Sequence, residues 1–267
     1  MQRVKSGSPR LRSRPTLVSY GEARQSANGA TAARLRSRSK QASSGPKPSA
    51  LSPEGYAKAR RYLMRKDPVL GAAIRSIGAC GMAERQRKDH LTALVNAIIS
   101  QQLSTKAAAT IFGRFVALFP DNHIPDAAAI AAQSDAALRA VGLSGQKVSY
   151  MRDLSARLID GRLRLEELET LPDEQVIERL VAVKGFGRWT AEMFLMFRLH
   201  RPDVLPAGDL GIVVAIQRLY RLRKRPDAKR VLKIGEVWRP YRSVASWYLW
   251  QTLRELRTQN SELRTES

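Results

Sequence analysis

The chain has 267 residues, about two compact units or one larger unit plus a tail at roughly 150 residues per domain, and its 46 Lys and Arg against 24 Asp and Glu leave a formal charge of +22. That excess points to a polyanionic partner, nucleic acid first. One cysteine, Cys80, excludes an intramolecular disulfide framework, a cysteine-based zinc site and a four-cysteine iron–sulfur cluster, and apolar runs such as 212–216 fall far short of the about 18 residues a membrane span needs.

Residues 1–50 hold 11 Lys and Arg and one acid, Glu22, so this stretch carries +10 and the remainder +12. Rich in Ser, Arg, Gly and Pro and without apolar periodicity, it buries too little surface to offset ordering entropy and is expected to be a disordered basic tail. An organelle transit peptide has the same composition, whereas the apolar core of a secretory signal is missing. From residue 51 onward helical patterning is nearly continuous. Ser52-Pro53 and Asp67-Pro68 each place a capping side chain before a proline at the first helical position, predicting helices over 53–65 and 68–77. Asp89 opens a third, in which Leu91, Leu94, Val95, Ile98 and Ile99 form one apolar stripe up to Gln101. Ser104 caps a fourth that stops at Pro120. Shorter helices are expected at 126–132, 134–140, 145–159, 163–169 and 173–182, each bounded by Gly, Pro, Ser or Asp. No run of strand alternation competes, so the expected class is all-α.

Residues 180–219 read as helix, glycine hairpin, helix, loop, helix. Gly185 and Gly187 flank Phe186, where glycine permits positive φ and close backbone approach. Free amides at the start of the next helix form an anion site. Taken alone, the same glycine pair also suits a plain tight turn between helices. Asp209 precedes the apolar helix 210–220 and suits its N-cap. The three histidines, His90, His123 and His200, are dispersed and lack metal-ligand spacing.

The segment Gly185-Phe186-Gly187-Arg188-Trp189-Thr190-Ala191, followed by Asp203-Val204 and Pro206-x-x-Asp209, resembles the helix-hairpin-helix DNA glycosylases, and within them the 3-methyladenine glycosylase II group. The likeness extends over about 60–260. It takes in Ile98-Ile99-Ser100-Gln101-Gln102-Leu103-Ser104 and Trp238-Arg239-Pro240-Tyr241-Arg242-Ser243. It implies a two-lobed all-α bundle of short helices, one lobe from about 90–200 and the other from about 51–89 plus 201–258, in a domain covering 51–267. By the same resemblance Lys184, Gly185, Phe186, Gly187, Arg188 and Thr190 bind DNA backbone, and Asp209 assists departure of a damaged base. Asp203 is the rival carboxylate, structural in the family. Trp189 and Trp250 match pocket positions, with Met193 one turn after Trp189 where some members carry an aromatic residue. Trp238 and Trp247 are read as packing. Gln102, with Gln101 beside it, matches a wedge that fills the hole left by an everted base; polar residues between two helices also suit an ordinary loop.

The chemistry fits these residue types. Cleaving an N-glycosidic bond builds oxocarbenium-like charge on the sugar, which a nearby carboxylate stabilises without a metal. A base in a duplex must first be flipped out and stacked, and indole faces favour a cationic alkylated purine over a neutral base. In bifunctional relatives a lysine nucleophile immediately precedes the Thr-Ala pair. Here that position is Trp189, and without an amine no Schiff base forms, so the reading is a monofunctional enzyme. No cofactor is required; the resemblance allows a structural Na+ or K+ on the backbone of Val181, Val183 and Phe186. The expected partner is double-stranded DNA containing alkylated bases, bound by a monomer in the cytoplasm at the bacterial nucleoid, or in the nucleus or an organelle of a eukaryotic cell. The alternatives are a helix-hairpin-helix module that only grips DNA, a glycosylase and lyase for oxidised bases, and a basic scaffold or RNA-binding protein.

Overall fold

The computed structural model describes residues 50–83, 89–124 and 126–265, with side chains described as far as residue 255. The expectation of a disordered tail therefore lies, but for Ala50, outside the described residues. Among those residues every regular element is a helix, in agreement with the all-α expectation. The order is α1 (Pro53–Lys66), α2 (Pro68–Ile77), α3 (His90–Ser100), α4 (Thr105–Val116), α5 (Ala127–Ala132), α6 (Asp135–Ala140), α7 (Gly145–Ile159), α8 (Asp173–Val181), α9 (Arg188–Phe197), α10 (Leu210–Leu219), α11 (Ala228–Ile234) and α12 (Arg242–Thr265). Short 3-10 turns occupy Pro120–Asn122 and Gly235–Trp238.

The capping residues act as the sequence suggests. Side chains of Ser52, Asp67, Asp89, Ser104, Ser134 and Ser144 each accept a first-turn amide of the helix they precede, satisfying donors that no helical carbonyl reaches. The predicted helix over 163–169 does not form; the chain there makes successive turns. Arg201 gathers the carbonyls at the end of this stretch. Its guanidinium is almost fully buried and its Nη2 donates to the carbonyls of Leu168, Glu169 and Leu171 at 3.3, 2.8 and 3.0 Å. A buried cation needs such partners, and the turns converge three carbonyls on it. Asp173 adds an opposite charge at 3.5 Å.

Helix packing falls into two groups. In one, α3 packs on α4, α7 and α9, α7 on α5 and α6, and α8 on α9; in the other, α12 packs on α1, α2 and α10. The motif at 238–243 ties the second group together. Trp238 Nε1 donates to Asp67 at 2.8 Å, Arg239 and Arg242 both donate to Asp203, and Ser243 Oγ donates to the Arg201 carbonyl while accepting from Val204 N. Asp203 is thus committed to holding the 201–204 loop. Trp238 is fully buried and Trp247 nearly so, edge-on to Tyr248 at 4.9 Å between ring centroids, as the packing reading of both expects.

Candidate active site

The two helix groups meet at Asp209. Its side chain caps α10, with Oδ1 accepting Ile212 N at 2.8 Å and Trp250 Nε1 at 2.9 Å, while Oδ2 accepts Trp189 Nε1 at 2.8 Å. Trp189 comes from α9 in one group and Trp250 from α12 in the other, so only the tertiary fold brings the two indoles to one carboxylate. Three N–H donors on two oxygens hold the carboxylate in one orientation and complement its negative charge. Asp209 is 5% exposed, yet Trp189, which covers Oδ2, is 40% exposed. The carboxylate is therefore buried, and of the two indoles bonded to it Trp189 is the exposed one.

Behind the indoles the wall is apolar and aromatic. Trp189, Met193 and Phe197 recur every four residues on α9, and the Phe197 ring stacks on Trp250 at 5.9 Å with 29° between planes. Phe197 was missed by sequence reasoning; its signal was the four-residue spacing from Trp189 and Met193. Leu210, 43% exposed, follows the carboxylate directly. Gly211 was also missed: a Cβ there would sit 2.9 Å from Asp209 Oδ1 and 3.0 Å from Trp250 Cδ1. A glycine in the first turn of an otherwise apolar helix was the available sign.

Glu192, one turn after Arg188, is a third addition. It is buried, and burial is the main reason its carboxyl is pushed up to about 7, with the charges of Glu174 and Asp209 adding to the rise and Arg188 opposing it. Arg188 Nε lies 3.2 Å from Glu192, and its terminal nitrogens form a two-pronged pair with Glu174. The guanidinium assigned to DNA is thus held by two acidic side chains in the free protein.

The hairpin connects α8 to α9. Gly185 has φ +85°, and a Cβ would lie 2.3 Å from the Tyr150 ring, so both conformation and packing demand glycine. At Gly187 a Cβ would meet nothing within 4 Å, and α9 starts there without a side-chain cap. The space and first-turn amides at Gly187 are open to a ligand from outside. The Phe186 ring is buried in the core and anchors the turn, so any contact from this residue to DNA is left to its backbone. Lys184 is exposed and its backbone N–H is bonded to Asp153; Thr190 is half-buried.

The wedge candidates separate. Gln102 is exposed with φ +57°, whereas Gln101 is half-buried and its amide donates to the Gly185 carbonyl at 3.0 Å. Lys147, lowered below the usual lysine range by burial, donates to the Ile99 carbonyl at 2.7 Å. Since α7 supplies both Lys147 and Tyr150, one helix face braces the loop at 101–104 and the hairpin together. At the hairpin, Val183 O accepts Phe186 N at 3.0 Å. His90, His123 and His200 stay dispersed, and no group of His, Cys, Asp and Glu suited to a metal ion occurs among the described residues.

Comparison with known proteins supplies relatives. The DNA-3-methyladenine glycosylase 1 of Schizosaccharomyces pombe is 40% identical over 168 residues, 62% of this chain and 74% of that protein. A putative DNA-3-methyladenine glycosylase of Bacillus subtilis is 34% identical over 165 residues, 60% of this chain and 58% of that protein. The solved structure of the Schizosaccharomyces pombe 3-methyladenine DNA glycosylase in complex with abasic DNA superimposes with a TM-score of 0.65 at 36% identity, covering 73% of this chain and 95% of that one. Residues 95–240, more than half the chain and including the hairpin and Asp209, match the HhH-GPD superfamily of base excision DNA repair proteins, and the chain belongs to that family.

Proposed function

We propose that the protein is a monofunctional DNA glycosylase of base excision repair that hydrolyses the N-glycosidic bond of alkylated purines such as 3-methyladenine. The observation that carries this reading is the Asp209 carboxylate, fixed by Ile212 N, Trp250 and the exposed indole of Trp189. The names of the relatives point the same way.

In this mechanism the first-turn amides of α9, the backbone at 185–187 and the Lys184 ammonium grip the phosphate backbone. Gln102 fills the gap left by the everted nucleotide, with Gln101 and Lys147 setting its backbone. The base stacks on the aromatic wall of Trp189, Met193, Phe197 and Trp250, where a cationic ring gains on the order of 0.5–2 kcal/mol per indole. Positive charge building on the sugar is met by Asp209, and water completes the hydrolysis. No lysine serves as nucleophile: Trp189 precedes Thr190-Ala191, and Lys147 is occupied by the Ile99 carbonyl. The carbonyls of Val181, Val183 and Phe186 are hard oxygen donors within six residues of chain, the donor type Na+ or K+ takes, although Val183 O already accepts one hydrogen bond. Bound there, the ion would add positive charge beside a phosphate. The protein acts as a monomer wherever its DNA resides; among the described residues no helix is long and apolar enough to cross a membrane.

The test is incubation with alkylated duplex and chromatography of the freed bases. Release of 3-methyladenine by the wild type, its loss in Asp209→Asn with duplex binding kept, and no borohydride-trapped adduct are expected. A trapped adduct would make the protein a lyase, and binding without base release would make it a DNA-gripping module.

A further inference from the structure

We propose that residues 218–233 form a second DNA-binding surface, separate from the excision site, which takes the phosphate backbone of another duplex segment. The proposal rests on the reading above that the protein works on DNA. Eight of these sixteen residues are Lys or Arg and one is acidic. The acid, Asp227, is spent capping α11 through Arg230 N. All eight cations are exposed, and among the described residues none makes an ion pair. Exposed cations without a carboxylate partner occur elsewhere too, Lys58, Arg61, Arg75, Lys106 and Arg114 among them, but among the described residues no other stretch of sixteen gathers eight cations.

These cations cannot relieve their repulsion by letting the backbone spread. Leu222 packs on the core with its N–H on Gln217 O at 2.8 Å, Pro226 is buried, and Val231 is fully buried. A rigid loop of unpaired like charge carries a standing electrostatic cost, and a polyphosphate with its own condensed counterions removes that cost on binding. Location separates this surface from the excision site. Helix α10 starts at Asp209 and runs ten residues, about 15 Å at 1.5 Å per residue, before the basic stretch takes over. Its far end packs through Tyr220 against Asp67, in the helix group away from the hairpin and from Gln102. On this proposal the duplex that feeds a nucleotide to Asp209 engages the start of α10 while a second segment engages 218–233, so that the enzyme passes between segments without first dissociating.

The full-length chain is compared with its Arg223→Gln, Lys224→Gln, Arg225→Gln triple variant, whose changes touch no internal bond. Release from a labelled, undamaged duplex is followed as unlabelled competitor duplex is raised. Wild-type release is expected to accelerate about tenfold with competitor, the salt dependence of that step falling by about 0.9 in log–log slope per lost phosphate contact in the variant. Variant release is expected to be independent of competitor, with single-turnover base release from a short alkylated duplex unchanged. Competitor-independent release by the wild type, or acceleration in the variant equal to wild type, overturns the proposal. So does a parallel loss of first-duplex affinity and base release, which would put the patch on the same duplex, or competition by anionic phosphatidylserine vesicles but not by duplex. A wild type that shows patch-dependent transfer yet frees no base would overturn the excision reading and leave this surface standing.

Discussion

The two ends of α10 are built from the same local parts and do different work. At its start, Asp209 caps a helix and accepts an indole N–H from Trp189 and from Trp250. Beside its end, Asp67 caps α2 through Val69 N and Leu70 N and accepts the Trp238 indole and the Tyr220 hydroxyl. Both aspartates are buried. The difference lies in the covering aromatics: at Asp67 Trp238 is 0% exposed and Tyr220 half-buried, whereas at Asp209 Trp250 is buried but Trp189 is 40% exposed. A buried carboxylate with saturated partners and a sealed lid is a structural knot. The same carboxylate under an exposed indole can meet a ligand. Hydrogen-bond inventory alone does not separate them; access does.

The sharpest way to break the comparison is to make the same change at both ends. Asp209→Asn keeps a competent cap and is expected to slow single-turnover base release by about 10²–10³-fold, the usual loss for one group that stabilises developing charge, with duplex affinity retained. Near-wild-type release would remove Asp209 from the chemistry. The next effect belongs to Glu192, beside the Asp209 end. Its folded pKa of about 7 lies above the ordinary 4.5, so the native state keeps a proton that the unfolded chain gives up. Stability therefore falls as pH rises from about 4.5 to about 7 and levels off above, by on the order of 3 kcal/mol in all. Denaturant melts across that range should show the slope in the wild type and lose it in Glu192→Gln.

Asp67→Asn, at the sealed end, is expected to cost about 2 kcal/mol, since the Trp238 indole and the Tyr220 hydroxyl share the oxygen that the amide nitrogen replaces. Thermal melting should register it, while base release per folded molecule stays at the wild-type rate. A rate loss like that of Asp209→Asn would erase the distinction between the two ends. The smallest expected effect is at the brace. Lys147→Met removes the donor to Ile99 O and should lower base release from duplex about tenfold. Release from single-stranded alkylated DNA, which needs no wedge, should hardly change, and equal losses on both substrates would make Lys147 merely structural.

Local sequence determined much of this protein. The caps at Ser52, Asp67, Asp89 and Ser104, the apolar stripe of α3 and the breakers around each short helix act within one or two turns of chain, so periodicity and turn chemistry were enough to locate them. The hairpin glycines and the Trp-Thr-Ala run were legible for the same reason: backbone conformation and motif spacing are local properties. The turns at 163–169 were not legible, nor was the fact that Arg201, more than thirty residues later in the chain, takes the carbonyls of Leu168 and Glu169. Nor could spacing reveal that Trp189 and Trp250 share one carboxylate, that Phe197 stacks on Trp250, that Gly211 clears room for Asp209, or that Gln101 bonds the hairpin while Gln102 stays exposed. Burial, access and the pairing of distant side chains are decided by which surfaces the helices lose to one another, and only the folded chain sets that.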